Sequence, residues 1–362
     1  MTICFTVTND LTFDQRMIRI CSSLAGAGYQ VSLIGRKLKH SLPLQRQPFH
    51  QKRISCFFNK GIIFYAEYNF RLFCYLLKKK SDCLCAIDLD TILPVFFCSR
   101  LRRTKRVYDA HELFCEMKEI ASRPRIHQTW KRIEEYTVPK FEYGYTVNKP
   151  IAQEFYTLYG REYKVIRNLP SKSHMPFAKK NQKLILYQGA VNEGRSFETL
   201  IPAFKEIEAV LWVIGVGNFY MQAKALVKKY QLEDKVHFKG TVQPEDLPSI
   251  TRQAKIGVTL FDSIGLSNYY SLANRFFDYV EAGTPQLCIN YPAYAEVNRK
   301  YEVALLIDDL SPENIAKKLN QLLQDQQLYE RLQKNCMNAR EELNWENEQE
   351  KVIGFYDQIF NR

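Results

Sequence analysis

The sequence predicts an α/β protein made of two doubly wound, Rossmann-like domains that face each other across a cleft. Three observations lead to this fold class. Short apolar runs alternate with longer amphipathic stretches, which is the pattern of βαβ units around a parallel sheet. The alternation stops at residues 168–182, a stretch with two prolines and no periodicity, and then starts again. The length of 362 residues is sufficient for about two domains.

The domain boundaries are expected at this linker. We predict an N-terminal domain over 1–170 and a C-terminal domain over 171–343. The acidic C-terminal stretch has amphipathic helical patterns, and we expect C-terminal helices to pack back on the N-terminal domain. The last of them, over 344–362, is predicted to cross back to that domain.

The individual elements follow from hydrophobic periodicity. In the first half, strands are predicted at ICFTVT, YQVSLIG, CLCAI, KRVYD and GYTV, and helices over 14–25 and near 62–78, 90–100, 125–142 and 149–159. In the second half, strands are predicted at KLILYQ, AVLWVIG, KVHFKG, AKIGVTLF, PQLCI and VALLI, and helices near 196–208, 218–230, 245–253 and 274–282.

Composition narrows the class of protein. Apolar residues make up 46% and charged residues 25% of the chain, as in ordinary globular proteins. The chain has no uncharged apolar run of about 18 residues and no basic stretch before its first apolar run, so we expect neither a spanning helix nor a signal peptide.

The ten cysteines show no CxxC spacing. We expect them to be reduced, and the protein to be cytoplasmic.

The positive charge is concentrated in the first half. The chain has a net charge of +12, and residues 1–170 carry 28 Lys and Arg against 15 Asp and Glu. No carboxylate occurs between Gln15 and Ala66, and a second basic cluster lies at 100–106. Such a field attracts polyanions such as nucleic acid, anionic lipid or phosphorylated substrates, although a solvated basic face is the simpler explanation.

Polar residues that follow strands are candidates for ligand binding, because ligands bind at the carboxyl ends of parallel strands. Gly189 follows KLILYQ, and Arg195 opens the next helix, so this turn offers N–H groups and a cation to a phosphate. Gly215 follows the next strand and begins a GxG pattern. A lone GxG is weak evidence for nucleotide binding, and a tight turn is the alternative explanation. An ordinary βα turn with a surface arginine is the alternative for Arg195.

The segment 263–285 is the most informative one. Ser267 lies in a polar loop, and a helix then runs from Asn274 to a stop at Gly283. On this helix Arg275, Asp278 and Glu281 recur every three residues and share roughly one face. A carboxylate near a nucleotide commonly accepts the ribose hydroxyls, although a solvent-exposed stripe of charges is the alternative.

Charged residues also end the strands of the first half. Asp109, His111 and Glu112 directly follow an apolar strand, which favours a cluster facing a cleft over a hydrogen-bonded structural pair. Asp10 and Asp14 lie in the first βα turn. Because no second His has a metal-ligand spacing, we expect no metal site.

The sequence lacks the motifs of several enzyme classes. The first βα turn has no GxGxxG, the chain has no GxxxxGK[ST], and it has no GxSxG. These absences disfavour a Rossmann-type NAD or FAD enzyme, a P-loop NTPase and an α/β-hydrolase. The nearest pattern to a metal-holding DxD is Asp88-Leu89-Asp90, which is predicted to cap the helix beginning near Thr91.

The order of these motifs resembles GT-B glycosyltransferases, specifically the retaining "group 1" family of bacterial surface-polysaccharide enzymes. The resemblance spans the chain and is carried by NDLTFDQRMIRICSSLAGAGYQVSLIGR, VYDAHELF, VIRNLP, LILYQGAVNEGRSFETLIPAF, VHFKGTVQPEDL and SLANRFFDYVEAGTPQL. The last stretch is similar to the family's donor-binding signature. The resemblance implies a nucleotide-sugar-dependent glycosyltransferase that needs no cofactor, and a role in polysaccharide or glycolipid synthesis.

The resemblance also assigns roles to residues. It implies that the C-terminal domain binds the nucleotide-diphosphate sugar and the N-terminal domain binds a saccharide or lipid-linked acceptor. Glu281 matches the ribose contact, Arg195 and Arg275 match cations at the diphosphate, and His111 matches a histidine that touches the transferred sugar. The residues on the acceptor side are then Asp10, Asp14, Asp109 and Glu112. Two family positions differ, since Ala273 replaces a carboxylate and Ala190 replaces an arginine.

Other functions stay open at this point. A nucleotide-sugar epimerase has the same architecture, and a basic nucleic-acid-binding protein would suit the charge, although no RNA-binding module is apparent. The segment 61–80 places apolar residues beside Lys78, Lys79 and Lys80, which suits an interfacial helix. We therefore expect an anionic membrane surface as a partner, contacted through the basic loop 36–60, and a peripheral location on the inner face of the membrane.

Overall fold

In the computed structural model, residues 1–12, 14–173 and 180–361 are described; the middle of the predicted linker, 174–179, lies outside these ranges, as do Phe13 and Arg362. The chain forms two compact units. Unit 1 comprises Met1–Asn168 and Glu348–Arg362, and unit 2 comprises Leu169–Asn347.

The strands are β1 (Thr2–Thr6), β2 (Gln30–Lys37), β3 (His50–Ser55), β4 (Cys83–Ile87), β5 (Lys105–Ala110), β6 (Tyr143–Thr146), β7 (Lys164–Val165), β8 (Asn181–Gln188), β9 (Val210–Ile214), β10 (Val236–Gly240), β11 (Ala254–Thr259), β12 (Gln286–Ile289) and β13 (Ala304–Ile307). The helices are α1 (Gln15–Gly26), α2 (Gly61–Lys78), α3 (Ile92–Arg102), α4 (Lys118–Ala121), α5 (Pro124–Thr137), α6 (Lys149–Tyr159), α7 (Phe197–Ala203), α8 (Tyr220–Tyr230), α9 (Leu247–Gln253), α10 (Leu266–Tyr269), α11 (Asn274–Glu281), α12 (Pro292–Tyr301), α13 (Pro312–Gln324), α14 (Gln326–Ala339) and α15 (Trp345–Phe360).

Each unit contains one parallel sheet. The order is β3-β2-β1-β4-β5-β6-β7 in unit 1 and β10-β9-β8-β11-β12-β13 in unit 2. The predicted α/β class with two doubly wound parallel sheets is confirmed. The strand order reverses between β1 and β4 in unit 1 and between β8 and β11 in unit 2, and such switch points create a crevice at the carboxyl edge of a sheet.

Unit 1 is built on strands that are buried on both faces. All five residues of β4, CLCAI, are buried, as expected of a central parallel strand covered by helices. Helix α1 buries Met17 and Ile20 on one face, and the Asp14 side chain caps it by accepting a hydrogen bond from the Met17 N–H. The last helix supplies part of this core, since the rings of Phe5 and Tyr356 lie 5.8 Å apart, centre to centre.

Strand β3 was not predicted from the sequence. Its residues, HQKRIS, are polar or basic except for Ile54, which is the one buried residue of the strand. It lies at the edge of the sheet beside β2. An edge strand of this kind carries little of the apolar alternation on which the prediction rests.

Unit 2 has its own continuous core around β8, β11 and α11. Tyr187, Phe276 and Tyr294 are fully buried there. All ten cysteines of the chain are free thiols. No helix in the described part of the chain is long and apolar enough to cross a bilayer.

Candidate active site

The loops that follow β8 and β11 meet at the switch point of unit 2. The Asp262 N–H donates a hydrogen bond to the Gly194 carbonyl over 3.0 Å. Asp262 Oδ1 also accepts a hydrogen bond from Asn268 Nδ2 over 3.2 Å. These contacts bring Arg195, on the first loop, to the second loop, where its Nη1 donates to Asn268 Oδ1 over 3.0 Å.

Two glycines allow the turns after β8 and β9 to pack closely. Gly189 has φ +124° and Gly215 has φ +125°, a backbone conformation that residues with a side chain rarely adopt. A Cβ on Gly215 would lie 2.0 Å from the Gly189 carbonyl oxygen, and one on Gly189 would lie 3.0 Å from Arg275 Nη1. Any larger residue at 189 would therefore crowd the arginine that the turn approaches.

Arg275 is a buried cation without an acidic partner. It is 7% exposed, and no ion pair joins it to a carboxylate of the described residues. Its Nη1 donates to Tyr187 Oη over 3.3 Å and to the Gln188 carbonyl over 3.4 Å, whereas Nε and Nη2 have no hydrogen-bond partner. A buried charge is costly unless it is paired, so these two donors are suited to an anionic ligand.

Arg195 and Arg275 lie at the same aromatic ring. The guanidinium carbon of Arg195 is 4.4 Å from the centre of the Phe261 ring, and that of Arg275 is 4.7 Å from it. The Arg275 guanidinium also lies 4.6 Å from the Tyr187 ring centre. The structure thus holds two cations together at the carboxyl edge of the sheet, as the binding of a doubly charged group such as a diphosphate requires.

The other predicted donor residues surround this pair. Ser267 lies on the short helix α10 and is half-buried, and Asn274 is the exposed first residue of α11. Helix α10 occupies part of the region in which the sequence predicted a polar loop.

Glu281, which the resemblance matches to a ribose contact, is buried and paired within unit 2. The residue is 5% exposed, and its Oε2 lies 3.1 Å from Nη2 of the buried Arg252. Its Oε1 accepts a hydrogen bond from the Ser173 N–H over 3.1 Å and lies 3.6 Å from Arg340 Nη2. The carboxylate is directed into unit 2 because two arginines and a backbone amide satisfy it there.

Asp278, one turn earlier on α11, lies beside the arginine pair instead. Its Oδ2 accepts a hydrogen bond from Gln188 Nε2 over 2.9 Å, directly before Gly189. The side chain is half-buried. Of the three charged residues that the sequence placed on one helix face, Arg275 and Asp278 therefore border the switch point and Glu281 does not.

In unit 1, Asp10 and Asp14 have structural partners. Asp10 Oδ1 pairs with Arg53 Nη2 over 2.6 Å and accepts a hydrogen bond from the Thr12 N–H, and Oδ2 accepts one from Ser41 Oγ. Burial raises the pKa of Asp10, but these hydrogen bonds and Arg53 outweigh it and hold the pKa below its ordinary value. Asp14 caps α1.

Asp109 and His111 lie at the carboxyl edge of β5, close to Asp88 after β4. Asp109 is fully buried and pairs with Arg16 over 2.7 Å, while its Oδ2 has no hydrogen-bond partner. His111 Nδ1 lies 2.9 Å from Asp88 Oδ2. Burial lowers the pKa of His111, but the Asp88 carboxylate outweighs this effect and raises it to about 10. The imidazole is therefore a cation at neutral pH.

The same edge holds further carboxylates. Asp88, His111 and Glu112 each place one ligand atom within 4.8 Å of the other two. A protonated imidazole is not a metal ligand, so His111 would have to lose a proton before this group could bind an ion. Asp90 does not cap the helix, contrary to expectation, because its Oδ2 accepts the Thr8 hydroxyl hydrogen bond. Burial and the Asp88 charge raise the pKa of Asp90 to about 7.

Tyr187 and Phe261, the rings that hold the arginine pair, were missed by the sequence reasoning. Tyr187 lies near the end of β8, and Phe261 lies two residues after β11. Both strands have the sequence of ordinary core strands, and an aromatic residue at such a position does not by itself indicate a binding site. Asp88 was considered only as a helix cap. Its positive φ of 54° is the structural sign of a constrained position, and the sequence does not reveal it.

Comparison with known proteins agrees with this architecture. Residues 172–338 match the family model of "Glycosyl transferases group 1". Among solved structures, sucrose-phosphate synthase from Thermosynechococcus elongatus has a TM-score of 0.81 at 17% identity, covering 100% of this chain and 99% of its own. WaaG, a glycosyltransferase involved in lipopolysaccharide biosynthesis, has a TM-score of 0.76 at 16% identity, covering 97% and 98%.

A third similar structure contains ligands. Anabaena HepE in complex with UDP and glucose has a TM-score of 0.76 at 12% identity, covering 100% of this chain and 99% of its own. No curated protein sequence matches the chain. The chain therefore contains a segment, residues 172–338 in unit 2, that matches glycosyl transferases group 1, and it shares its fold over the whole length with these solved structures.

Proposed function

We propose that the chain transfers a sugar from a nucleoside-diphosphate sugar, held by unit 2, to a saccharide or lipid-linked acceptor. The observation that carries the proposal is the pair Arg195 and Arg275, two cations at one ring, of which Arg275 has two unpartnered buried donors. The HepE structures, which are complexes with UDP and glucose and with UDP-glucose, support a donor of this class.

The chemistry that this pair can supply is stabilisation of the leaving group. As the bond between the anomeric carbon and the diphosphate oxygen breaks, negative charge grows on the diphosphate, and preorganised cations stabilise it without reorganisation. Arg195 and Arg275 supply the positive charge that stabilises the diphosphate. We therefore propose that the reaction needs no metal ion or other cofactor.

We further propose that the transfer retains the anomeric configuration. The acceptor oxygen then bonds to the anomeric carbon on the face that the diphosphate leaves, and the departing diphosphate takes the acceptor proton. His111, a cation in unit 1, is suited to hold an oxygen of the sugar. A role in polysaccharide or glycolipid synthesis is supported by the similarity to WaaG, which is involved in lipopolysaccharide biosynthesis.

The test begins with a panel of nucleoside-diphosphate sugars, scored by the shift of the thermal unfolding midpoint. With the best donor and an oligosaccharide acceptor, we expect nucleoside diphosphate to be released only when the acceptor is present, with activity preserved in EDTA. NMR of the product anomeric centre tests retention. An interconversion of donor sugars without acceptor would show an epimerase, and a loss of activity in EDTA that Mg²⁺ restores would overturn the metal-free mechanism.

A further inference from the structure

The turn that follows β4 contains a strained residue. Asp88 has φ 54° and ψ 178°, a backbone conformation that is almost restricted to glycine because a side chain brings Cβ too close to the backbone. The milder left-handed helical region, with ψ between 28° and 59°, contains Arg103, Ser196, Gln231 and Glu302. Asp88 therefore has a conformational cost that these residues do not have.

Hydrogen bonds on both sides of Asp88 impose this conformation. The Asp88 N–H donates to the Asp109 carbonyl of β5 over 2.9 Å. The carbonyl of Ile87, the residue before it, accepts a hydrogen bond from the hydroxyl of the fully buried Thr91 over 3.1 Å. A strained backbone persists only where the surrounding structure fixes the chain in this way. The turn therefore sets the direction in which the side chain of residue 88 points.

The carboxylate of Asp88 adds two further costs. The residue is 9% exposed, and its Oδ1 is buried without a hydrogen-bond partner among the described residues. Its charge also adds to the effect of burial in raising the pKa of Asp90, which reflects repulsion between the two carboxylates. A glycine at position 88 would remove the strain, the unpartnered oxygen and the repulsion together. The stability of the fold thus does not explain an aspartate at this position.

The other oxygen of Asp88 lies at the imidazole of His111. The distance from Oδ2 to His111 Nδ1 is 2.9 Å. Nδ1 is buried, whereas the His111 side chain as a whole is 34% exposed. The accessible part of the ring therefore lies away from Nδ1, on the side that carries Nε2. An imidazolium held by Nδ1–H keeps Nε2–H as a donor for a ligand.

We propose that Asp88 is the positioning residue of His111, which it holds by Nδ1 as a cation so that Nε2–H donates to an oxygen of the transferred sugar. This inference rests on the proposed function, in which His111 holds that oxygen. The strained turn serves this contact, because it fixes the carboxylate at Nδ1. Without an acidic partner, an imidazole in this buried position would be mostly neutral at pH 7 and less well oriented.

The other charged groups near His111 do not replace Asp88. Burial lowers the pKa of His111, Asp88 raises it most, Glu112 raises it less, and Arg16 of α1 lowers it. Asp109, whose charge also lies near the imidazole, is paired with Arg16 over 2.7 Å. Removal of Asp88 should therefore change both the charge and the orientation of the imidazole.

The first test compares Asp88→Gly and Asp88→Asn in the full chain. Asp88→Gly should keep or raise the thermal unfolding midpoint, because it relieves the strain, while kcat falls about 100-fold and nucleoside-diphosphate affinity is unchanged. Asp88→Asn keeps an oxygen for Nδ1–H but removes the charge, so its kcat should fall at about pH 8 and recover at about pH 6, where His111 is protonated again. Gln231→Gly, at an exposed position with positive φ after α8, is the matched control and should keep full activity.

A double variant separates positioning from an independent role. Asp88→Gly combined with His111→Gln should lose no more activity than His111→Gln alone, because Asp88 acts through His111. Losses that multiply would show that Asp88 acts independently of the imidazole and would overturn the proposal. An Asp88→Gly midpoint lower by more than about 5 °C would also overturn it, since the aspartate would then be structural.

NMR of the His111 imidazole tests the proposal without any substrate. In Asp88→Asn, the titration midpoint of His111 should fall by about 2 pH units or more. An unchanged midpoint would overturn the proposal. If no donor and acceptor pair releases nucleoside diphosphate, the proposed function fails. The NMR titration and the thermal midpoints then still decide whether Asp88 positions His111.

Discussion

Glu281 and Arg252 form a buried ion pair inside unit 2, with Oε2 of the carboxylate 3.1 Å from Nη2 of the guanidinium. Arg252 is 1% exposed and Glu281 is 5% exposed. Breaking such a pair from one side leaves a buried charge uncompensated, which costs more than the pair contributes.

Glu281→Ala should therefore destabilise the protein by about 3–5 kcal/mol in urea unfolding. At a temperature where the variant is folded, its affinity for nucleoside diphosphate should be unchanged. Glu208→Ala, which removes a pair whose carboxylate is 90% exposed, is the control and should cost about 0.5 kcal/mol or less. A stable Glu281→Ala variant with weakened donor binding would restore the ribose role that the family resemblance implied.

Arg275→Gln should have the opposite effects on stability and on nucleoside-diphosphate affinity. Because Arg275 has no acidic partner among the described residues, its removal should leave stability unchanged or raise it, while nucleoside-diphosphate affinity falls roughly 10- to 100-fold. Arg252→Gln is the matched control, a buried arginine with a carboxylate partner, and should lose stability. Urea unfolding and titration calorimetry separate the two outcomes; equal destabilisation by both substitutions would show that Arg275 is structural.

Arg195→Ala should reduce turnover with little effect on stability, because its guanidinium is half-buried and held by Asn268 and the Phe261 ring. Loss of one cation at the developing diphosphate charge is expected to lower kcat about 100-fold. Steady-state kinetics with saturating donor provide the measurement. Lys205→Ala, at an exposed cation over Tyr230, is the control. Activity within about twofold of the unchanged enzyme would contradict the assignment.

His111→Gln should lower transfer while leaving nucleoside-diphosphate affinity intact, because His111 lies in unit 1 and the arginine pair lies in unit 2. The expected loss of kcat is about 100-fold, since the variant lacks the positive charge that Asp88 maintains. His50→Gln on β3 is the control. A parallel loss of nucleotide affinity would mean that the substitution acts through the structure.

Asp90→Asn should change how stability depends on pH. Burial raises the pKa of Asp90 to about 7 in the folded protein, whereas the unfolded value is near 3.8. The folded state therefore keeps a proton that the unfolded state loses, and this contribution to stability disappears as pH rises from about 4 through 7. Relative to the unchanged protein, the variant should be more stable at pH 8 than at pH 4.5 in urea unfolding. The same stability difference at both pH values would exclude Asp90 as the titrating group; Asp234→Asn, at an exposed position, is the control.

Much of the fold could be predicted because apolar runs and their spacing report burial directly. CLCAI and KRVYD became β4 and β5, and the helix predicted from Asn274 became α11. The side-chain directions around α11 could not be predicted. A spacing of three places Arg275, Asp278 and Glu281 on one broad face, but the partners that divide them lie far away in sequence, at Gln188 and Arg252. Such contacts depend on packing rather than on local pattern.

The core of unit 1 is completed by the last helix of the chain. Phe355 of α15 lies 5.2 Å from Tyr145, ring centre to ring centre, and Tyr356 packs against Phe5 of β1. During synthesis, the strands of unit 1 leave the ribosome first, yet the helix that completes their core is translated only after all of unit 2. Unit 2 can therefore close around its own core before the final helix of unit 1 has been translated.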